Sequence, residues 1–419
     1  MSSRAFLTGT GAVSPFGGGV EAFWRGALSG ASALAPIRGF DTSGLTHTLA
    51  GEVPAGAVAA WLSDVERSRP RVDQHALAAA REALAAARLD LAACDATRVG
   101  VVLATTLGAM EIGEEYVRER ASAPEHREIP PDPPFSKGGS ALGGIGRRLL
   151  SWPYAATAAS LARALGVRGP VISPSIASAS GTQAIGQARE LIQLGHADVV
   201  IAGGSEALCE FVVAGFNCLR ATTASVVRPF DVRRDGLALG EGAAIVVVES
   251  QAHALQRGAA SAIEIAGTGL SSDAVHMTAP ARDGAGAARA MRAALADAGL
   301  APTAIDFVSA HGTGTVYNDA MELAALTSVF GAAVPPVNGI KGAIGHTLGA
   351  AGSFEAVLCV RALLDGVMPP TAGCEQLDVD CLVDIVRGAA RPATLRTALS
   401  TSSAFAGNNA AIVLRRIGD

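Results

Sequence analysis

The chain has 419 residues, of which 49% are apolar, 17% are charged and 4% are aromatic. This apolar share is enough for a large core and excludes an intrinsically disordered chain. The 33 basic and 38 acidic residues give a net charge of −5, and without a long basic run this balance argues against a nucleic-acid partner. The length predicts two or three ordinary domains or one large double domain.

The six cysteines follow neither a metal-ligand spacing nor the framework of a small secreted protein. They indicate reduced thiols, no metal and a cytoplasmic location. The N-terminus lacks the charged and apolar regions of a signal peptide. Charged residues interrupt every apolar run well before the roughly 20 residues that a membrane span needs. We therefore expect a cytoplasmic protein without membrane or nucleic-acid partners.

Short β-branched runs alternate with alanine-rich helical stretches, which is typical of an α/β fold with a largely parallel sheet. Apolar periodicity predicts helices at 75–86, 182–194, 287–298 and 353–364, and strands at 99–105, 199–203, 243–249, 305–309 and 411–414. The segment 111–137 is charged and rich in proline. It predicts a surface excursion, or a helix followed by an irregular loop.

Two segments, 76–106 and 287–315, share one order of features: a helix, a short linker, a buried strand and a threonine-rich turn. Together with the length, this pattern favours two similarly built halves joined near residues 250–262. We therefore expect an N-terminal half at 1–255 and a C-terminal half at 256–419.

Four glycine-rich segments contain most of the unusual polar residues. In the first, 171–194, a strand-like start leads to Ser178 and then to a helix. A helix N-terminus would stabilise negative charge developing at Ser178. The alternative is that the serines of this segment only cap the helix.

In the second segment, His311 follows a buried strand and stands beside a sharp glycine turn that carries Thr313 and Thr315. The third places Lys341 and His346 five residues apart, just before a helix. The fourth, 400–414, surrounds Phe405 with small residues. Each pattern also fits a structural role: a satisfied histidine after a strand, or an aromatic ring that only packs.

Six ordered motifs together resemble the β-ketoacyl synthase family, the condensing enzymes of fatty-acid and polyketide assembly, over essentially the whole chain. They are TGTGAVSPFGGGVEAFW at the start, RGPVISPSIASASG, RPFDVRRDGLALGEGAA, AHGTGT followed by ND and E, K…GHTLGAAG, and AFAGNN. The resemblance implies an α/β, thiolase-like fold, in which two pseudo-repeated βαβαβ halves form a layered αβαβα sandwich. It also implies a homodimer.

In the family's chemistry a cysteine takes an acyl chain from acyl carrier protein as a thioester. Two histidines then assist decarboxylation of a malonyl unit, and the carbanion attacks the thioester. By resemblance, His311 and His346 match these histidines, and Lys341 and Glu322 match the charged residues expected to orient and tune the second histidine. Substrates ride on the carrier protein's phosphopantetheine arm, so no other cofactor is implied.

The family's acyl-pocket gate corresponds to Phe405, whose backbone N–H is expected to help form an oxyanion hole. The resemblance adds three further substrate-binding or gate residues: Thr313, Thr315 and Gly407. At the C-terminal turn the chain has Ala404 and Ala406 where the family favours glycine, which predicts a stiffer loop.

The nucleophile is the principal departure, because Ser178 stands where the family has cysteine, and Cys209 and Cys218 lie on other segments. A serine hydroxyl is far less acidic than a thiol and needs a general base. Its ester is also a poorer electrophile than a thioester. We therefore expect impaired condensation, whereas decarboxylation needs only the two histidines as hydrogen-bond donors.

Three interpretations of Ser178 remain open. In the first interpretation, Ser178 is an engineered replacement of cysteine. In the second, Ser178 belongs to a natural synthase-like protein that acts in decarboxylation, acyl transfer or unusual condensation. The third interpretation is a non-catalytic partner resembling a chain-length factor, in a heterodimer with a cysteine-bearing ketosynthase. Retention of His311 and His346 counts against that third interpretation. Leu237, in place of an expected aromatic residue, favours natural divergence in a specialised pathway.

Carrier proteins are acidic, so docking on a chain of net charge −5 would need a local basic patch. The candidate residues are Arg67, Arg69, Arg71, Arg147 and Arg148. The alternative for each is an ordinary solvated surface arginine.

Overall fold

The computed structural model describes residues 4–122, 149–259, 262–377 and 381–418. Within these ranges eleven strands form one sheet, and ten of them fall into two sets of five. The first set is β1 (Ala5–Ser14), β2 (Val99–Ala104), β3 (Val171–Ile172), β4 (Val199–Glu206) and β5 (Gly242–Ser250). The second set is β6 (Ile263–Ser272), β7 (Phe307–Ser309), β8 (Val337–Asn338), β9 (Thr397–Ser403) and β10 (Asn408–Arg416).

The two sets have the same topology. The first runs β3-β2-β4-β5-β1 and the second runs β8-β7-β9-β10-β6. In each, the first two pairs of neighbours are parallel and the last two are antiparallel. β1 and β6 pair antiparallel, with Phe6 opposite Glu264, and so join the sets. The predicted pseudo-repeat is confirmed, but the sheet is mixed rather than largely parallel.

Eleven α-helices lie in the described ranges. They are α1 (Val20–Ser29), α2 (Arg71–Ala87), α3 (Met110–Ser122), α4 (Tyr154–Leu165), α5 (Ser180–Gln193), α6 (Glu210–Cys218), α7 (Gln251–Gln256), α8 (Ala285–Ala298), α9 (Val316–Phe330), α10 (Lys341–Ile344) and α11 (Ala351–Asp365). None of these helices has both the length and the apolar character required to cross a bilayer.

The helices form three layers around the strands. α5 and α11 each contact strands of both sets and make the central layer. On one outer side α2 and α4 cover the first set, and on the other α8 and α9 cover the second. The order is therefore α, β, α, β, α, as the family resemblance implies.

At matching positions in the two halves, pairs of strand glycines face alanines of the outer helices, and these small residues let helix and strand pack closely. A Cβ on Gly9 or Gly11 of β1 would lie 2.1 or 1.9 Å from a carbonyl oxygen of α2. At Gly267 and Gly269 of β6 the corresponding distances to α8 are 2.2 and 2.1 Å. Only glycine allows helix backbone to approach strand backbone this closely, and both halves use the same arrangement.

All nine helices and strands predicted from periodicity are present, with boundaries that differ by a few residues. The helix predicted in the charged segment is α3, but its beginning is not surface, since Ile112 is 1% exposed. Residues 123–137 of that segment lie outside the described residues. The division after residue 255 stays a prediction, and it falls within α7, between the two sets of strands.

Candidate active site

A cavity of about 460 Å³ brings together side chains from distant parts of the sequence. Of the nine predicted catalytic, substrate-binding or gate residues, six line it: Ser178, His311, Thr313, Thr315, His346 and Phe405. The residues Lys341, Glu322 and Gly407 do not line it. They lie behind the cavity wall, and their contacts explain their roles.

Ser178 is presented by a strained turn between β3 and α5. The preceding residue, Ala177, has φ +53°, a left-handed conformation that is costly for a side chain with a Cβ. The N-cap position of α5 is Ala179, and no side chain in the described part of the chain caps the helix. The alternative that the serines of this segment only cap the helix is therefore wrong. Ser178 is 9% exposed and faces the cavity.

His346 is held in one tautomer by its own turn. The backbone N–H of Leu348 donates to Nδ1 of His346 over 3.2 Å, so Nδ1 is an acceptor and Nε2 carries the proton. Nε2 lies 2.8 Å from Oγ of Ser178. The imidazole therefore donates to the serine oxygen, and in this arrangement it is not a base for the hydroxyl.

Lys341 does the same for His311. Its Nζ lies 3.1 Å from Nδ1 of His311 and also contacts the His311 carbonyl oxygen and the Glu355 carboxylate. An ammonium group can only donate, so the proton of neutral His311 is on Nε2. Lys341 is 1% exposed and pairs with a fully buried carboxylate. Burial and the nearby ammonium of Lys341 hold the pKa of both histidines well below the usual value.

The two imidazoles are neutral donors facing one space. Their ring centroids are 5.1 Å apart and their planes are nearly perpendicular, at 84°. Nε2 of His311 has no hydrogen-bond partner within the described part of the chain. Two preorganised N–H donors in a buried site can stabilise negative charge that develops on a substrate oxygen.

Glu322 acts on the backbone around His311. Its carboxylate accepts from the N–H of His311 over 2.6 Å and from the N–H of Gly312 over 2.8 Å, and Thr401 donates a third hydrogen bond of 2.8 Å. Burial raises the pKa of the Glu322 carboxyl. The sequence resemblance assigned Lys341 and Glu322 to the second histidine, but both contact the first because the turn after β7 brings His311 between them.

Two acidic residues were given no role by the sequence analysis, although Asp319 is the aspartate of the quoted ND motif. Glu355, in α11, pairs with Lys341, and burial raises its pKa to about 7. Asp319, in α9, accepts from the N–H of Phe230 and of Thr313, which ties two motifs together. An acidic residue inside an apolar helix such as SFEAVLCV is rarely buried without a partner, and this signal could have identified Glu355.

The turn after β9 carries the candidate gate. Phe405 stacks on Phe216, with centroids 5.7 Å apart and planes 16° apart, and 36% of its surface is exposed. Ala406 has φ +63°. Gly407 is buried below the turn, and its carbonyl oxygen accepts from the N–H of Asp273. Gly407 therefore shapes the turn and does not contact the cavity.

No cysteine lines the cavity among the residues that the structure describes. Cys209 is buried, and burial raises the pKa of its thiol, while Cys218 is at the surface. Ser178 therefore has no thiol substitute at this site. Leu237, the residue that departs from the family's aromatic, is buried and lines the cavity.

The proposed basic patch is largely engaged in local contacts. Arg71 forms an ion pair with the buried Glu241, Arg67 pairs with Asp64, and Arg69 donates to Ser160. Arg147 and Arg148 lie outside the described residues. Two other arginines, Arg220 and Arg282, lie near the cavity and are exposed. Arg220 lines the cavity itself, and Arg282 lies over the ring of Tyr317, another lining residue.

Family models match most of the chain. The model described as beta-ketoacyl synthase, N-terminal domain, matches residues 3–254, and that for the C-terminal domain matches residues 262–375. The chain belongs to the β-ketoacyl synthase family. It is similar to 3-oxoacyl-[acyl-carrier-protein] synthase 2 of Staphylococcus aureus (strain COL), with 35% identity over 99% of both chains. It is 37% identical to nodulation protein E of Rhizobium sp. (strain N33) over the full length of both.

Solved structures of family members have the same fold. The ishigamide ketosynthase/chain length factor superposes with a TM-score of 0.90 at 36% identity, covering all of both chains. A β-ketoacyl synthase from Burkholderia phymatum STM815 gives a TM-score of 0.87 at 33% identity, covering 99% of this chain and all of that one. A chain from the structure of a type II polyketide acyl-carrier protein in complex with its ketosynthase gives a TM-score of 0.87 at 31% identity, covering all of both chains. The thiolase-like fold of the chain is thereby confirmed.

Proposed function

We propose that this family member acts on malonyl units carried as thioesters by an acyl carrier protein and releases their carboxyl group as CO₂. Chain extension through Ser178 is slow. The observation that carries the proposal is the pair of neutral imidazoles, His311 and His346, whose Nδ1 atoms are both occupied as acceptors. Each therefore offers an Nε2–H to the cavity.

In the proposed reaction the bond between the α-carbon and the carboxylate breaks. Its electron pair moves towards the thioester carbonyl, and the resulting enolate oxygen accepts hydrogen bonds from His311 and His346. Water then protonates the α-carbon and becomes hydroxide, so the products are CO₂, hydroxide and an acetyl thioester. The donors need no protonation change, and their lowered pKa keeps them neutral near pH 7.

Condensation makes a different demand, because it requires an acyl group on Ser178. The serine oxygen accepts a hydrogen bond from His346, and among the described residues none is placed to take the proton of its hydroxyl. Unactivated hydroxyls are weak nucleophiles, so acylation would be slow. Attack of the enolate on an oxygen ester would slow the second half of the reaction as well.

The mouth of the cavity supports a carrier-protein partner. Arg220 and Arg282 offer cationic groups there, and the hydroxyls of Thr313 and Thr315 lie along the wall that a phosphopantetheine arm would follow. An acidic carrier protein would be drawn to such cations. The similar type II ketosynthase is solved with its carrier protein, which agrees with a carrier-protein partner for this chain.

Incubation with malonyl-carrier protein tests the proposal. Mass spectrometry of the carrier protein should show loss of CO₂ and accumulation of acetyl-carrier protein. His311→Ala and His346→Ala should each reduce the rate by about 10²–10³-fold, the usual effect of losing an oxyanion donor. His196→Ala, at an exposed histidine that does not line the cavity, is the control. Absence of acetyl product from the unaltered protein would refute decarboxylation.

A second function has support from one observation: the chain is 36% identical to a chain from the ishigamide ketosynthase/chain length factor structure. As a chain-length-factor-like subunit it would shape a partner's acyl pocket without chemistry of its own. Co-expression with a cysteine-bearing ketosynthase should then give an obligate heterodimer. A stable homodimer that decarboxylates malonyl-carrier protein would instead favour the enzyme.

A further inference from the structure

A buried carboxyl group connects two loops behind the cavity. Glu206, at the end of β4, is 1% exposed. Its Oε1 accepts from the backbone N–H of Thr106 and, over 3.1 Å, from that of Gly349. Its Oε2 accepts from the hydroxyl of Thr105 over 3.2 Å. One side chain thus joins the loop after β2 to the turn that follows His346.

The turn that Glu206 holds is strained at one residue. Leu348 has φ +47°, and such a left-handed conformation costs of order 1–3 kcal/mol in a residue with a side chain. The N–H of this residue donates to Nδ1 of His346. The adjacent N–H, that of Gly349, is the one that donates to Glu206. Glu206 therefore acts next to the peptide that sets the tautomer of His346.

Close packing leaves this turn little room to move. A Cβ on Gly349 would lie 2.7 Å from Oε1 of Glu206. A Cβ on Gly204 would lie 2.8 Å from the carbonyl oxygen of Gly349, and one on Gly181 would lie 2.9 Å from that oxygen. The turn is thus confined by backbone on one side and by the carboxyl group on the other.

We propose that Glu206 is a positioning residue that, through the N–H of Gly349, keeps the strained turn at Leu348 in the conformation that fixes the proton of His346 on Nε2. Without this acceptor the turn relaxes, the N–H of Leu348 leaves Nδ1, and His346 samples both tautomers. The tautomer with the proton on Nδ1 has no donor for a substrate oxygen. The consequence for catalysis rests on the proposed decarboxylation, whereas the tautomer does not.

Two conservative variants of Glu206 separate the effect of side-chain length from the effect of charge. Glu206→Gln keeps the length and an amide oxygen that can accept from Gly349, but it removes the charge. Glu206→Asp keeps the charge but withdraws the oxygens by about 1.5 Å, the length of one carbon–carbon bond. ¹⁵N solid-state NMR of protein labelled at histidine reports which ring nitrogen of His346 carries the proton, and His346→Gln assigns the signals.

If the proposal holds, Glu206→Gln keeps one tautomer at His346 and a rate within about threefold of the unaltered protein. Glu206→Asp gives mixed tautomers and a kcat for decarboxylation about 10- to 100-fold lower, the size expected for a misplaced catalytic group, with KM unchanged. Mixed tautomers in the Gln variant, or a single Nε2-protonated tautomer in the Asp variant, would overturn the proposal. The NMR outcome stands even if the protein decarboxylates nothing.

Glu82→Asp is the matched control. Glu82 is a half-buried glutamate that accepts from two backbone N–H groups, those of Ala12 and Val20, over 2.8 Å each, and none of the three residues lines the cavity. It should lose stability as a shortened buried acceptor does, but leave the His346 ring unchanged. An equal disturbance of His346 by Glu82→Asp would mean that general loosening of the fold causes the effect, and would also overturn the proposal.

Discussion

Nε2 of His346 donates a hydrogen bond of 2.8 Å to Oγ of Ser178. The direction of this bond follows from the Leu348 N–H on the other ring nitrogen. It makes Ser178 an acceptor rather than an activated nucleophile. The same bond occupies a donor that an enolate oxygen would use, so Ser178 influences both halves of the family's reaction.

Ser178→Cys should restore condensation. A thiol beside a helix N-terminus ionises without the general base that a hydroxyl requires, and such a base is worth about 10²–10⁴-fold. We expect formation of β-ketoacyl-carrier protein from acyl- and malonyl-carrier protein to rise by about 10²-fold or more. Ser175→Cys, which places an exposed thiol in the same segment but outside the cavity, should not gain activity. No gain in the 178 variant would favour the subunit without chemistry of its own.

Ser178→Ala should accelerate decarboxylation. Removing Oγ frees the Nε2–H of His346 for the substrate oxygen, and a hydrogen bond of this kind is worth about 0.5–1.5 kcal/mol. The initial rate of acetyl-carrier protein formation should therefore rise by about two- to tenfold, while the Nε2–H donor of His311 is unchanged. A lower rate would mean that the serine hydroxyl itself assists the reaction.

Protonation of the two histidines should not change the decarboxylation rate between about pH 6 and pH 8. Burial, and then the ammonium of Lys341, lowers the pKa of both histidines, so neither gains a proton in this range. Their protonation should lower the rate only in more acidic solution. The double variant Lys341→Met, Glu355→Gln removes the ammonium without leaving the buried Glu355 carboxylate unpaired. In this variant the acidic fall in the rate should move to higher pH. A fall that stays in place would contradict the role assigned to Lys341.

Ala406→Gly should not destabilise the fold, and it should raise the free energy of unfolding by as much as about 1 kcal/mol. Glycine relieves the left-handed strain at φ +63°, worth about 1–2 kcal/mol, and this offsets its greater entropy in the unfolded chain. The control is Ala404→Gly in the same turn, where φ is −139° and glycine should cost roughly 0.5–1 kcal/mol. Urea unfolding of both variants measures the difference. Equal losses would show that the turn stores no strain.

The free energy of unfolding should decrease as the pH rises from about 4.5 to about 7, in part because of Glu206. Burial raises its pKa from 4.5 to about 7, so the folded protein binds this proton more tightly than the unfolded chain. That stabilisation is complete below the unfolded pKa and is lost as the pH rises through the folded one. It amounts to about 3 kcal/mol. Urea unfolding of Glu206→Gln at several pH values should show a shallower decrease; an unchanged slope would contradict the raised pKa.

Short-range patterns predicted much of this fold and site. The nine periodic segments appear as helices and strands because apolar spacing reflects which face is buried. Ser178, His311, His346 and Phe405 each stand next to small or glycine residues, and all four line one cavity. Local sequence carries this information since a turn and its exposed side chain are built from neighbouring residues.

The supporting contacts were not predictable in the same way. Glu355 meets Lys341 across 14 residues and Glu206 meets Gly349 across 143. Gly407 was expected at the cavity and lies beneath it, and Arg71 was expected to be free but pairs with Glu241. Each outcome depends on which strands become neighbours, and that is not written in a local pattern.

By itself, the sequence determined the family, the alternating elements and the missing sulfur at position 178, because these are properties of residue identity and spacing. The tertiary structure alone decided which ring nitrogen of each histidine carries the proton, and that Ser178 accepts a hydrogen bond from His346. The physical reason is that an imidazole's tautomer depends on the donor placed at its other nitrogen. For His311 that donor, Lys341, lies 30 residues away, and for His346 it is a turn that the rest of the fold holds under strain.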